Sequence, residues 1–263
     1  MSKKSNSKKA ATERLGETRT MNCGEIAIIV EYTNNRNITV KFKKTGEIVK
    51  TTYQNFKNGS VKSRIKPSVC GVGYLGNEKS IDGNGKIIKS YLVWNSMLRR
   101  CYDKKFKQNN PTYKDCSVCK EWLYYSNFKE WFNENYYEID EEQMSLDKDI
   151  LEKGNKIYSP ETCVFVPQNI NTLFIKCDKV RGEYPIGVYK PNNSNKYLAK
   201  CSIFYNGKTQ QKYLGLYNTP EEAFNAYKQF KEKYIKQVAD EYKDKIPYEL
   251  YKAMYNYKVE IKD

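Results

Sequence analysis

The apolar residues of this chain occur in short runs separated by turn signals, and this pattern most limits what the chain can fold into. Asn, Asp and Gly cluster at residues 34–37, 82–85 and 206–207, between stretches of alternating or helical periodicity. Much of the 39% hydrophobic content comes from 24 tyrosines, which suit half-exposed positions better than a deep interior. With 263 residues, we expect an α+β chain of two or three small modules with shallow cores.

Changes in periodicity divide the chain into segments. The predicted segments, in order, are a disordered basic arm (1–12), a small SH3-like β module (13–66), a linker or hairpin (67–90), a unit of helices followed by strand, loop, strand and helix (91–178), a unit of three strands and a helix (182–242) and a C-terminal tail (243–263).

In the SH3-like module, period-two runs predict strands at 25–32, 38–42 and 48–53. Arg36 and several lysines make this module basic. It could therefore bind nucleic acid or a protein partner, or it could have a structural role alone.

The unit at 91–178 begins with a helical pattern near Ser90. Its apolar residues at helical spacing are Leu92, Val93, Met97 and Cys101, with Trp94 and Leu98 beside them. An aromatic stretch at 122–137 shows the same helical pattern. Strands are then predicted at 144–150 and 163–166, with a helix at 168–176.

The unit at 182–242 has three predicted strands, at 186–189, 197–205 and 212–217, with a hairpin turn at Asn206-Gly207. Thr219 as N-cap, Pro220 at the first helical position and Glu222 completing a capping box predict the start of a helix. Its apolar stripe would cover one face of the sheet and leave the opposite face free.

The charge balance indicates a polyanionic partner. Lys and Arg number 46 against 31 Asp and Glu, which gives a net charge of +15. Such a chain attracts phosphate backbones with a salt-dependent affinity. The alternative is that the charge serves solubility alone.

The residue inventory also limits chemistry and location. Histidine is absent, which removes the commonest general base and the commonest zinc ligand. The sequence has no apolar run of about 18 residues and no secretory pattern, so we expect no membrane association. The eight cysteines are then expected to be reduced thiols in a cytoplasm.

Part of the unit at 91–178 resembles the HNH-type (His-Me finger) endonucleases common in bacteriophages. The residues that carry the resemblance are Trp94, Met97, Leu98, Arg100, Cys101, Tyr102, Trp122, Phe128, Trp131, Leu146, Asp147, Lys148, Gly154, Asn155, Tyr158, Glu161, Cys163, Phe165, Val166 and Asn171. The resemblance implies a strand–loop–strand–helix unit that holds Mg²⁺ or another divalent metal. Asp147 would be the metal-binding acid and Asn171 the helix ligand, with Asn169 as an alternative register.

Lys148 stands where this family has its histidine. The resemblance therefore implies Asp147, Lys148 and Asn171 as the catalytic set, with a departure at the general base. To act as a base near neutral pH, a lysine must have its pKa lowered by about 3 units, which costs ~4 kcal/mol. The alternative is that Lys148 contacts phosphate and the unit only binds the DNA groove.

The Cys116-x-x-Cys119 pair suggests a zinc site, since structural zinc takes four thiolate or imidazole ligands. Only Cys101 and Cys163 could complete such a site. Because they do not form a second close pair, small buried thiols are the favoured interpretation.

The unit at 182–242 resembles the AP2 DNA-binding domain. The matching residues are Gly187, Val188, Tyr189, Lys196, Tyr197, Ala199, Lys200, Tyr213, Leu214, Gly215, Tyr217, Thr219, Glu221, Glu222, Ala223, Ala226 and Tyr227. The resemblance implies a three-stranded sheet in the DNA major groove. The predicted DNA contacts are Tyr189, Lys190, Lys196, Lys200, Lys208 and Lys212. Alternation places Lys196, Leu198 and Lys200 on one face, although a plain solvated face is the alternative.

Three functions are consistent with these patterns. The leading hypothesis is a DNA-binding protein related to phage HNH/AP2 homing endonucleases, with cleavage weak or lost. The second is an active metal-dependent nicking endonuclease. The third is a phage interaction protein that inhibits a host nucleic-acid-handling enzyme in defence.

Overall fold

The structure, a computed structural model, describes residues 13–175, 183–205 and 208–261. The chain divides into two compact units, Met1–Asn133 and Glu134–Asp263, and both contain helices and strands. The expected α+β class is therefore confirmed. The basic arm predicted at 1–12 and the turn predicted at Asn206-Gly207 lie outside the described residues. None of the helices in the described part of the chain is both long enough and apolar enough to cross a lipid bilayer.

The first unit contains five short strands and four helices in its described part. They are β1 (Thr18–Thr20), β2 (Ile26–Asn34), β3 (Asn37–Phe42), β4 (Ile48–Thr51), α1 (Tyr53–Lys57), α2 (Lys89–Tyr102), α3 (Lys104–Asn109), β5 (Ser117–Val118) and α4 (Tyr125–Asn135), with 3-10 turns at Pro111–Tyr113 and Glu121–Leu123.

Strands β1 to β4 form an antiparallel meander with neighbours in chain order. Alternate side chains of β2 and β3 are buried against Phe56 of α1, as period-two patterning requires. The prediction of a strand at 48–53 is wrong at its end. The strand stops at Thr51 because the Thr52 side chain accepts a hydrogen bond from the Asn55 backbone N–H and caps α1.

The buried stripe of helix α2 agrees only in part with the one that the spacing predicted. Trp94, Met97, Leu98 and Cys101 are buried, whereas Leu92 is 56% exposed. The indole N–H of Trp94 donates to the backbone carbonyl of Trp122 at 2.7 Å. This buried hydrogen bond orients the helix so that Trp94, rather than Leu92, faces the core.

The second unit contains six strands and three further helices in its described part. They are β6 (Met144–Asp147), β7 (Ile157–Tyr158), β8 (Val164–Pro167), α5 (Gln168–Leu173), β9 (Val188–Tyr189), β10 (Tyr197–Tyr205), β11 (Lys208–Tyr217), α6 (Pro220–Tyr242) and α7 (Tyr248–Asn256).

A small hairpin and its helix occupy the first part of this unit. Strands β6 and β8 are antiparallel, with Asp147 opposite Val164, and α5 begins directly after β8. The predicted order of strand, loop, strand and helix is confirmed, although the first strand ends at Asp147 rather than at 150 and the loop contains the two-residue β7. All four residues of β8 are buried, because the strand packs between its partner and the helices behind it.

Strands β9, β10 and β11 form an antiparallel sheet of order β11-β10-β9. The capping box predicted for the next helix is confirmed. The Thr219 hydroxyl accepts from the Glu222 backbone N–H at 3.2 Å, and the Glu222 carboxylate accepts from the Thr219 backbone N–H. Helix α6 then covers one face of the sheet, where Ala223, Phe224 and Tyr227 pack in the same cluster as Val188, Ala199 and Cys201.

The segment 243–263, predicted only as a tail, contains helix α7. Leu250 and Met254 of this helix are fully buried in a cluster with Ile235 and Ala239 of α6. The sequence pattern did not reveal this short helix, because exposed tyrosines such as Tyr248 interrupt its amphipathic spacing. The C-terminal segment is therefore part of the core of the second unit.

Gly187 provides a test of how closely β9 and α6 pack. Its φ of +78° is left-handed, and a Cβ at this position would lie 2.1 Å from the Tyr227 ring. We expect Gly187→Ala to lower the free energy of unfolding by about 3 kcal/mol, from left-handed strain and overpacking together. Gly154→Ala, with φ of +85° and open space around it, should cost only about 1 kcal/mol. Urea denaturation would compare them, and equal losses would contradict the predicted close contact.

Candidate functional site

The three-stranded sheet has one face that α6 does not cover, here called the open face. Strand register gives its members as Tyr189, Leu198, Lys200, Ser202, Phe204, Thr209, Gln211, Tyr213 and Leu216. Several large side chains are exposed there, with Tyr213 at 59% and Leu216 at 47%. Since large apolar groups usually avoid water when a core is near, this concentration on one sheet face is a feature to explain.

A bulge decides which side chains of β11 belong to the open face. Ala199 pairs with Gly215, but Lys200 pairs with Tyr213, so Leu214 is an extra residue in β11. Gly215 adopts a φ of +130°, which suits glycine at the bulge. As a result, Leu214 packs towards the core and Tyr213 lies beside Lys200.

Two contacts organise the side chains of the open face. The Lys200 ammonium lies 3.9 Å from the centre of the Tyr189 ring, a cation–π contact between neighbouring strands. The Gln211 side-chain amide donates to the Ser202 hydroxyl at 2.7 Å. The face thus presents a cation, an amide and aromatic rings in fixed relative positions.

The structure separates the six predicted DNA contacts into two groups. Tyr189 and Lys200 lie on the open face, and exposed Lys196 lies one residue before β10. Lys208 and Lys212 are register partners of Tyr205 and Cys201 and therefore occupy positions on the α6 side.

Lys190 also lies away from the open face, with its ammonium 5.3 Å from the ring of Tyr197, which packs against the core. The exposed side chains of Phe204, Gln211 and Tyr213 were missed by sequence reasoning. Counting the register back from a two-residue turn at Asn206-Gly207 would have placed Phe204 and Gln211 on this face. The position of Tyr213 on the open face depends on the bulge in β11.

The second candidate site is a cavity of about 90 Å³ beside the β6–β8 hairpin. Its lining includes Asp147 at the end of β6, Asp149, Lys153 and Asn171 on α5. The structure therefore brings Asp147 and Asn171 together. Lys148 is not among the described residues that line the cavity.

Asp147 is held in place by the backbone that follows it. Its Oδ1 accepts from the N–H groups of Asp149 at 2.9 Å and Ile150 at 2.8 Å. Burial raises the pKa of Asp147, and the neighbouring Asp149 carboxylate raises it further, against these hydrogen bonds and the Lys148 charge. This carboxyl is therefore poised to hold a proton or to gain from a nearby cation.

Lys148 is engaged in structural contacts. It is 7% exposed, and its Nζ lies 3.3 Å from Asp149 Oδ1 and 5.9 Å from the centre of the Tyr158 ring. Its backbone carbonyl accepts from the Asn155 side-chain amide at 2.6 Å. Lys153 is instead the cation at the cavity, where it donates to the Lys258 carbonyl at 3.0 Å.

The HNH resemblance implies a divalent metal, and the donor chemistry at the cavity suits one. Asp147, Asp149 and Asn171 are the oxygen donors that would hold a hard cation such as Mg²⁺. Among the described residues, no group of three or more His, Cys, Asp or Glu side chains is arranged to hold a metal. One Asp147 oxygen already accepts hydrogen bonds from two N–H groups. The match to a divalent metal is therefore one of donor type and not of a completed coordination shell.

Most of the cysteines proposed as zinc ligands or packing residues are buried. Cys101, Cys116 and Cys163 are buried, and Cys119 is half-buried. Burial raises the pKa of Cys163 to about 12, and the Asp147 charge also raises it. Because the thiolate is the form that binds metal, this environment favours Cys163 as a packing thiol.

Comparisons of the chain with protein-family models, with curated proteins and with solved structures found no match. The HNH-like and AP2-like interpretations therefore remain predictions from the residues that carry them.

The raised pKa of Asp147 predicts a pH-dependent effect of Asp147→Asn. Because the pKa in the folded chain lies above the usual value near 3.9, stability falls as pH rises through the interval between the unfolded and folded pKa. We expect Asp147→Asn to raise the free energy of unfolding at pH 7, with a gain that shrinks as the pH falls through that interval.

Asp149→Asn is the matched control, because we expect it to change the free energy of unfolding in the opposite direction. It removes the carboxylate partner of buried Lys148, and we expect a net loss of about 1 kcal/mol after the relief of its repulsion with Asp147. Urea denaturation at several pH values would measure both variants. A destabilised Asp147→Asn variant at pH 7 would contradict the assigned environment.

Proposed function

We propose that this chain is a DNA-binding protein related to phage HNH/AP2 homing endonucleases, with cleavage weak or lost. The observation that carries the proposal is the open face, on which exposed rings lie beside Lys200 and which no helix of the described residues covers. Stacking rings and cations on one surface are the combination that nucleic acids require.

Charge supports a polyanionic ligand for this surface. Residues 183–216 contain five lysines and one acidic residue, within a chain of net charge +15. The sequence-independent part of DNA affinity comes from such contacts with phosphates. Lys200 lies on this face and exposed Lys196 directly precedes β10, and both are assigned to phosphate contacts.

The shape of the sheet supports duplex DNA in particular. A two-stranded β-ribbon fits a major groove about 12 Å wide, and β10 and β11 form such a ribbon. Gln211 and Tyr213 lie on the ribbon face and would approach base edges. The aromatic and amide contacts would add to the affinity that comes from phosphate contacts. They would not add to its salt dependence.

The test is a salt titration of duplex binding by fluorescence anisotropy. We expect the Lys196→Ala, Lys200→Ala double variant to bind at least about tenfold more weakly, at ~1 kcal/mol per lost contact. Its slope of log affinity against log salt should fall by up to about 2, at roughly 0.9 per phosphate. Tyr213→Ala should weaken binding without changing the slope, because the tyrosine carries no charge.

The matched control removes two exposed lysines from helices of the same unit, as Lys233→Ala with Lys252→Ala. It should leave affinity and slope nearly unchanged. Equal losses in the two double variants would reject the open face as the binding surface. No binding at low salt by the wild-type chain would reject DNA binding itself and leave the interaction-protein hypothesis.

Metal-dependent nicking is the second candidate, favoured because Asp147 and Asn171 line one cavity. Against efficient cleavage, Lys148 is paired with Asp149, and the chain has no histidine to serve as base. For this reason the leading proposal includes cleavage that is weak or lost.

Nicking would be measured on supercoiled plasmid with Mg²⁺ or Mn²⁺. If the chain is an enzyme, nicking should be lost in Asp147→Asn, a variant expected to be at least as stable as the wild type. Asp244→Ala, at an exposed position outside the cavity, should retain activity. Plasmid binding without nicking by the wild-type chain would support a binder that has lost cleavage.

A further inference from the structure

Two tyrosines and an arginine form an aromatic cage on the N-terminal sheet. The rings of Tyr32 and Tyr53 are nearly perpendicular, with centres 6.0 Å apart and an interplanar angle of 81°. The guanidinium carbon of Arg14 lies 4.1 Å from the Tyr53 ring centre and 5.2 Å from that of Tyr32. These distances are those of cation–π contacts with both rings.

Polar groups around the cage are directed at the guanidinium. Arg14 Nη1 donates to Asn35 Oδ1 at 2.6 Å and also to the Tyr32 hydroxyl. The Tyr32 hydroxyl in turn donates to Asn35 Oδ1. The cage therefore offers ring faces and two hydrogen-bond acceptors, a combination that suits a planar guanidinium better than a compact ammonium.

The walls of the cage are fixed by contacts other than those with Arg14. Tyr32 and Tyr53 both pack against the buried core of the sheet, and Tyr53 also stacks on Phe56 with an interplanar angle of 25°. The Tyr53 hydroxyl donates to Glu17 Oε2 at 3.0 Å, which adds a negative charge at the rim. Removal of the Arg14 side chain should therefore leave a formed cation site.

We propose that this cage is a binding site for the arginine side chain of a protein partner and that Arg14 is its internal competitor. Arg14 belongs to the short segment before β1, and the cage residues are only half-buried or exposed. An incoming arginine could thus replace Arg14 without disturbing the core. The inference is independent of the DNA-binding proposal, because its residues belong to the first unit and none of them lies on the three-stranded sheet.

The test uses the full chain and two short neutral-ended probes, acetyl-Gly-Arg-Gly-amide and its Lys counterpart. Ring-proton NMR shifts of Tyr32 and Tyr53 would report binding. Arg14→Ala should show saturable shifts with the Arg probe, and the wild type should bind at least about tenfold more weakly if Arg14 fills the cage nine-tenths of the time or more. The Lys probe should bind Arg14→Ala more weakly than the Arg probe.

Asn35→Ala in the Arg14→Ala background keeps both rings and their core contacts. It should reduce the preference for Arg over Lys, since it removes the exposed amide acceptor. Circular dichroism would verify that each variant is folded. A folded Arg14→Ala variant without saturable shifts, equal affinities of wild type and Arg14→Ala, or equal binding of the Arg and Lys probes would overturn the proposal.

Discussion

Helix α6 is the element on which the second unit depends, because one helix of 23 residues contributes to two cores. Its first half packs on the three-stranded sheet through residues such as Ala223 and Tyr227. Its second half packs through Ile235 and Ala239 on α7 and on the β6–β8 hairpin with α5. At about 1.5 Å per residue, the helix is roughly 35 Å long. The open face and the Asp147 cavity are thus carried on one continuous support, and loss of its packing would affect both.

This arrangement separates lysines that serve the fold from lysines that are available to a ligand. Lys148 is buried and paired with Asp149, and Lys231 is buried on α6, where burial lowers its pKa. A buried ammonium is costly to desolvate, so neither residue is positioned as a surface cation. Lys196 and Lys200 are more exposed and carry their charge at the edge and on the open face of the sheet. The same residue type therefore has opposite roles, and the net charge of the chain does not distinguish them.

The structure also contains two kinds of cation–aromatic contact, and they suit different ligands. On the open face, Lys200 lies over Tyr189 on a surface that has further exposed rings, consistent with a broad ligand. At the N-terminal sheet, Arg14 fills a cage of two rings closed by hydrogen-bond acceptors, consistent with a single side chain as ligand. The cage could not be recognised from spacing, because it joins residues 18 and 39 positions apart along the chain: Arg14 with Tyr32 and Arg14 with Tyr53.

Local sequence signals determined much of this protein. The Thr219 capping box, the bounds of β10 and the order of strand, loop, strand and helix depend on residues close together along the chain, and all were predictable. Tertiary structure decided the rest. It chose Trp94 over Leu92 for the core, placed α7 in a buried cluster, and paired Lys148, which does not line the cavity, with Asp149. It also set the bulge at Leu214 that places Tyr213 beside Lys200. The physical reason is that strand register and burial are fixed by distant partners, whereas caps, turns and alternation are fixed within a few residues.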